Sequence, residues 1–317
     1  MYAMAQQPAY SPNAADTNAQ KQIIIIHADR INYQKTDSLN ELQSLGGHVA
    51  VKQGKSLFYC DSAVINKYSN IMQAYGHVHI NDADSVQIYS DYLRYLGKEK
   101  MAYLTGNVKL TDGRGVLTTP TLEYNMQTKI GIYTQGGKVE NGKTVLTSKE
   151  GYYYEETRDV YFKKNVVLID PDYKLKTDTL LYNTYSDVAT FIAPTTITSE
   201  NNKKKAITSD GYYDAKNRKT YLGKRPTIQD GTVFLTADEV ATDDSTGFGE
   251  ARGNVIYNDT AQHVMVIANN MKSNNKNKSF LATERPVLIL KQGEDSIFVA
   301  ADTLYSARLS NLLKYRT

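Results

Sequence analysis

One pattern recurs along the 317 residues and constrains the fold more than any other feature. Its clearest copy is SDYLRYLGKEKMAYLTGNVKL, residues 90–110. Anchored on Asp91, the related positions are Asp29, Asp61, Pro120, Lys149, Asp178, Asp210, Asp238, Asn269 and Asp302, spaced 28 to 33 residues apart. Three residues before each anchor stands an apolar side chain: Ile26, Phe58, Ile88, Leu117, Leu146, Leu175, Ile207, Leu235, Val266 and Val299. One residue before it stands a small one, from Ala28 and Cys60 to Ala301. Two residues after it an apolar residue returns in every copy but that of Gly151; among them are Ile31, Leu93, Leu122, Leu180, Val240, Met271 and Leu304. Such a period marks a stack of supersecondary units, each burying its apolar face against the next.

The phase of the pattern gives the shape of one unit. Strand side chains alternate between faces. Before the anchor the inward positions are minus three and minus one. After it they are plus two and, in the early copies, plus four: Tyr33, Ile65, Tyr95, Tyr124, Tyr153 and Tyr182. The slip of one residue requires a bend or bulge at the anchor. Asp29, Asp61, Asp91, Asp178, Asp210, Asp238 and Asp302 are therefore read as structural corners, each carboxylate accepting a local backbone N–H freed by the bend. A second signal, as in Gly76-His77-Val78, Gly106-Asn107-Val108 and Gly253-Asn254-Val255, falls 15 to 18 residues later, and Pro194, Pro226 or Pro286 stands nearby in other copies. Glycine and proline mark a bend in the returning strand. The prediction is an all-β, elongated β-jellyroll or solenoid of ten such repeats, whose bent antiparallel strands form two facing sheets. A parallel β-helix or a propeller fits this period less well.

Composition narrows the function. A net charge of +3 lacks the concentrated basic stripe that nucleic acid needs, so no nucleic-acid partner is expected. Cys60 is the sole cysteine, excludes an intrachain disulfide, and is read as a small inward residue. No apolar run approaches the ~20 residues of a membrane-spanning helix. Residues 1–22 are polar and irregular and are expected to be a disordered tail. Within them Ala3-Met4-Ala5 resembles a signal-peptidase site without its apolar segment. Residues 23–317 are expected to form a single elongated domain. The last copy stops short of its second corner, so either the chain continues past Thr317 or that edge docks a partner.

Catalytic signatures are weak. His77-Val78-His79 has a chelating spacing but no third ligand. Gly54-Lys55-Ser56 lacks the upstream glycine and helix of a phosphate loop, and Gly247-Phe248-Gly249 misses dinucleotide spacing. The anchor aspartates recur in most copies, as structural residues do and catalytic pairs do not. Neither enzyme activity, metal nor cofactor is expected. Two basic clusters, Lys203-Lys204-Lys205 and Lys272 with Lys276 and Lys278, read either as solvated turn residues or as contacts to lipid phosphates or acidic sugars.

The repeat A-D-x-hydrophobic-x-Y followed by G-N-V-x-hydrophobic resembles the OstA-like family, the LptA type of periplasmic lipopolysaccharide-transport protein. Its best copies here are residues 90–110, 59–80 and 236–257. The length is similar to that of the longer OstA-like proteins of Bacteroidetes-type bacteria. The resemblance implies a β-jellyroll whose inward stripe, the positions from Ile26 to Leu304 named above, holds the acyl chains of lipopolysaccharide or a related lipid. It also implies a Gram-negative periplasmic location, a bridge to the outer membrane, and end-to-end strand pairing with other jellyroll proteins or further copies of the chain. A ligand-free structural or adhesive solenoid is the main alternative. A carbohydrate-active enzyme on the same scaffold ranks last, for want of a non-repeating carboxylate cluster.

Overall fold

The computed structural model describes residues 22–35, 41–83, 85–199 and 202–307, and their regular elements are all β-strands. The expected tail, with Ala3-Met4-Ala5, lies outside the described residues apart from Gln22. The chain divides into two compact units, one within Met1–Gly113 and Pro120–Lys129, the other within Arg114–Thr119 and Ile130–Thr317.

Both units follow one plan. In the first, the strands Glu41–Gln53, Ser56–Asn66, Ile71–Asp82, Val86–Leu96 and Met101–Thr111 pair antiparallel in succession. Each ladder shifts register once near its middle, as between Gly46 and Val49 or Tyr75 and Val78. Half-strands on one side of the break make a first sheet, and those on the other side a second. Apolar residues of both meet between them: the rings of Phe58 and Tyr95 lie 4.7 Å apart, and Ile80, Ile88 and Leu93 are fully buried. In the second unit Asp159–Ile169 and Tyr173–Asn183 break at Lys163/Val166, and Phe248–Asp259 and Val264–Asn274 at Arg252/Val255. Elsewhere the bend divides a strand in two, as in Ile130–Tyr133 and Gly137–Asn141.

The break is a two-residue bulge in left-handed backbone. Gly106 has φ +80° and Asn107 +46°. A Cβ on Gly106 would lie 2.6 Å from Asp91 Oδ2, so the position needs glycine for torsion and for space. The anchor aspartate stands opposite, but its carboxylate does not accept a local backbone N–H as expected. It accepts the side chain of the second bulge residue on the next strand. Asn107 Nδ2 donates to Asp91 Oδ2 and Asn254 Nδ2 to Asp238 Oδ2, each at 2.8 Å, and His77 Nδ1 pairs with Asp61 Oδ2 at 2.8 Å. The anchor's own amide goes to the bulge carbonyl, as in Asp238 N to Gly253 O at 2.8 Å. The bulge turns a short polar side chain toward the neighbouring strand, and that donor outcompetes the backbone. Proline copies solve the same problem differently: Lys224 (φ +53°) and Arg225 (φ +59°) precede Pro226, and Arg225 Nη1 reaches Asp238 Oδ1 at 3.1 Å.

The small residue before the anchor has a second duty. Its hydroxyl donates to the carbonyl two residues on: Ser90 to Tyr92 O at 3.1 Å, Ser148 to Glu150 O at 2.7 Å, Thr177 to Thr179 O at 3.2 Å. The same contact corrects one copy. Thr208, buried, donates to Asp210 O at 2.7 Å, so Ser209 takes the anchor position and Asp210 pairs with Gly223 inside a strand. The one-residue shift reverses the faces of that copy. Ile207 and Tyr212 lie outward, 45% and 42% exposed, while Tyr213 lies inward. Asp178 stands opposite the Lys164–Asn165 bulge with an exposed side chain, and Asp302 at the bend between Asp295–Ala300 and Thr303–Ser306.

Hairpins at the far end of the second sheet share a local code. Asn125 Oδ1 accepts the amides of Gln127 and Thr128, and Lys129 closes the loop with φ +59°. Asn183 repeats this with Tyr185, Ser186 and Asp187. Asparagine and aspartate open turns by such contacts. At the other end the turn after Asn141 is two residues long and uses Gly142 at φ +58°.

Candidate functional site: a hollow between the sheets

The interior is not uniform, and the position four residues after the anchor decides why. At Tyr95, Tyr124 and Tyr182 the ring crosses between the sheets and its hydroxyl is held on the far side, whereas Tyr33 is 68% exposed. Tyr95 donates to Gln53 Oε1, and Gln53 Nε2 in turn to Gly97 O at 2.8 Å. Tyr124 donates to Asp82 Oδ2 at 3.0 Å, and the Lys129 ammonium and Ser56 Oγ hold the same buried carboxylate. Tyr182 receives Asn141 Nδ2 at 3.1 Å. Each is buried, and burial pushes the Tyr95 and Tyr182 hydroxyls well above the ordinary tyrosine value. Gly151, the exception in the apolar pattern, yields its space to the Tyr133 ring; a Cβ there would lie 2.3 Å from Tyr133 Cε1. Burial carries the Tyr133 hydroxyl to about 12.

Two later copies carry Thr242 and Ser273 at this position. Around them the second unit holds a cavity of about 590 Å³. Leu175, Phe191, Leu222, Leu235, Val240 and Met271 line it from both sheets, with Tyr257 and Phe280 farther along. A hydroxyl-bearing stub cannot span the distance a tyrosine spans, so the sheets stay apart without a filling. One strut borders the space: Tyr173 donates to Asp244 Oδ2 at 2.7 Å, and its ring meets Tyr213 edge-on at 5.6 Å. Desolvation, then the Asp244 contact, raises the Tyr173 hydroxyl. Charged groups also line the space: Lys204, 3.3 Å from Asp230, with Lys205 and Lys278.

The expected inward stripe divides accordingly. Phe58, Ile88, Leu93, Leu117, Leu122, Leu146, Leu180 and Val266 are buried in packed interior. Leu175, Leu235, Val240 and Met271 reach the hollow. Four positions expected inside are not covered. Ile26 falls in an irregularity between Ile25 and His27 and is 55% exposed. Ile31 and Val299 lie on outlying strands with too little packed over them, Ile207 is out of phase as described, and Leu304 is half-buried.

The basic clusters also part company. Lys204, Lys205 and Lys278 line the hollow, whereas Lys203 is exposed beside it in sequence. Lys272 lies 3.7 Å from Glu250, and Lys276 Nζ donates to Ser245 O at 2.7 Å. His77 and His79 do not act together: His77 binds Asp61, and His79 meets Gln87 Oε1 at 2.7 Å and stacks on Tyr89. Cys60 is buried, which lifts its thiol to about 11. The sequence reading missed Tyr173, Tyr213, Asp244, Tyr257 and Phe280. The loss of tyrosine at Thr242 and Ser273 was the signal that pointed to them.

Bent facing sheets, held apart around an apolar space with charged groups, define a β-repeat protein of the jellyroll class. The family described as OstA-like protein matches residues 20–178, and the chain belongs to that family. No curated protein matches the chain significantly. Most of the hollow's lining lies beyond the matched residues.

Proposed function

We propose that the protein is a non-enzymatic carrier of lipopolysaccharide or a related acylated lipid, and that the hollow around Val240 and Met271 takes the acyl chains. The observation that carries the reading is the replacement of interior tyrosines by Thr242 and Ser273 where the cavity lies. A ligand-free structural solenoid gains nothing by dropping those struts. The volume of about 590 Å³ falls in the ~300–1,000 Å³ range of small-molecule sites. Each methylene removed from water contributes about 0.8 kcal/mol, so ten give roughly 8 kcal/mol before the costs of association. Lys204, Lys205 and Lys278 suit a phosphate or acidic sugar at the headgroup. The family resemblance supports a Gram-negative periplasmic setting and handover toward the outer membrane through partner jellyrolls joined by strand pairing. Exposed apolar side chains on outlying strands, such as Ile24 and Tyr305, accord with that mode of docking.

Photocrosslinking tests the reading. A photoreactive residue replaces Leu235 or Val240 in the hollow, or exposed Lys98 as the control, in Gram-negative cells. Lipid adducts at the hollow positions and none at Lys98 are expected. Correctly exported, folded protein without adducts at either hollow position overturns lipid carriage.

A further inference from the structure

The outer faces of the two sheets in the second unit differ in charge. Strand register assigns each residue to a face, with inward neighbours such as Val139, Leu168, Leu175 and Val266 buried. The outer face of the first sheet carries Lys138, Lys174, Lys176 and Lys291 against one acid, Glu140, which pairs with Lys138 at 2.5 Å. The other three lysines have no ion-pair partner among the described residues. Five strands on from Lys174 and Lys176, and next to Lys291, the same face is apolar. Met265, Ile289 and Phe298 stand side by side on three adjacent strands, and Ile256, Ile267 and Val287 form the next row. None is buried; Ile267 is 42% and Phe298 67% exposed. The outer face of the second sheet is instead acidic, and several of its carboxylates are engaged within the chain: Glu150 with Lys164, Glu250 with Arg252, Asp159 with Asn183.

We propose that the outer face of the first sheet in this unit docks on an anionic lipid bilayer, its lysines at the headgroups and Ile267 and Phe298 at the acyl boundary. Contiguous exposed apolar area on a soluble surface marks an interaction site. Unpaired lysines on the same face, Lys291 adjacent and Lys174 and Lys176 farther along it, call for an extended partner that is both anionic and apolar, which a bilayer of acidic lipids supplies. A second copy fits worse. Face to face it sets lysine against lysine, and on the acidic sheet of another copy Glu150 and Glu250 are already ion-paired with Lys164 and Arg252.

The experiment is flotation of the full chain with vesicles of equal parts phosphatidylcholine and phosphatidylglycerol, beside vesicles of phosphatidylcholine alone. Binding to the mixed vesicles only, weakened by salt, is expected. Each of Lys174→Gln and Lys176→Gln lowers partitioning about fivefold. Ile267→Ser with Phe298→Ser weakens what survives at high salt. Lys163→Gln and Lys219→Gln on the other sheet change nothing. Far-ultraviolet circular dichroism checks that each variant is folded. Equal loss from variants of either sheet, equal binding to neutral vesicles, or no binding overturns the proposal. Tight binding to soluble polyphosphate with no effect of Phe298→Ser assigns the face to a polyanion and overturns the bilayer. Self-association through this face in sedimentation, with no vesicle binding, overturns it in favour of a second copy. Loading of the hollow is read separately by crosslinking, so failure here leaves lipid carriage standing.

Discussion

The copies of the repeat that carry Tyr95, Tyr124 and Tyr182 and the copies that carry Thr242 and Ser273 share a backbone plan and differ inside. In the first group a ring crosses the interior and ends on a polar partner: Gln53, Asp82 or Asn141. In the second no ring crosses and a cavity stands in its place. The bulge with its aspartate belongs to both groups, as Asp91 with Asn107 and Asp238 with Asn254 show. The bend is thus scaffold, while the interior side chains, the one four residues after the anchor among them, set where it is solid and where it is hollow.

The largest expected effect separates the two interiors by truncation. Phe58→Ala in the packed region should cost about 3–5 kcal/mol by urea unfolding, because neighbours that tight cannot close the gap. Met271→Ala beside the hollow should cost nearer 2 kcal/mol, since part of its surroundings is already empty. Equal costs at the two positions would mean that the interiors are equally packed in solution and would break the comparison. Next in size is the strut itself. Tyr124→Phe keeps the ring but withdraws one of three donors from buried Asp82, and should cost about 1–3 kcal/mol.

Installing struts where they are missing sharpens the comparison from the other side. Thr242→Tyr with Ser273→Tyr should fill the hollow and weaken binding of a fluorescent fatty acid at least tenfold, about 1.4 kcal/mol. Thermal stability should hold or rise. Unchanged probe binding in the folded double variant would place the ligand elsewhere.

Much of this was legible in the sequence, though unevenly. The small residue before the anchor and the apolar residues around it fixed strands, bends and two sheets, because period-two alternation leaves few other solutions. The faces failed at Asp210 because Thr208-Ser209-Asp210 offers two overlapping anchors. Only the Thr208 hydroxyl on the Asp210 carbonyl distinguishes them. The partner of each aspartate was misread because it lies 16 to 19 residues away, across a bulge whose left-handed backbone no local pattern announces. The hollow was the least legible feature. A volume is a difference between what two sheets enclose and what their side chains fill, and an apolar stripe reads alike in both cases. The basic, acid-poor outer face was hidden for the same reason: its lysines come from separate repeats and meet only once register is known.

The smallest expected effect concerns the bends, where copies differ in chemistry rather than in form. The side chains of Asn107 and Asn254 do not themselves titrate, but His48 and His77 bind their aspartates best when protonated. The hydrogen bond to Asp61, then its charge, raises His77 above the ordinary value of 6.5, and Asp29 does the same to His48. In return the His48 contact holds Asp29 below 3.8. The raised histidines contribute stability that is fully present below 6.5 and is lost as pH rises through their folded-state pKa. Asp29 contributes above 3.8 and loses its contribution as pH falls through its lowered value. The His48–Asp29 pair therefore works between those two limits. All these groups are exposed, so solvent and salt hold the effect on unfolding small. Titration followed by NMR should show His77 above the ordinary histidine value, and Asp61→Asn should return it there with the bulge intact. A His77 that titrates the same way in the Asp61→Asn variant would mean that the ion pair does not persist in solution, leaving the bulge held by its backbone alone.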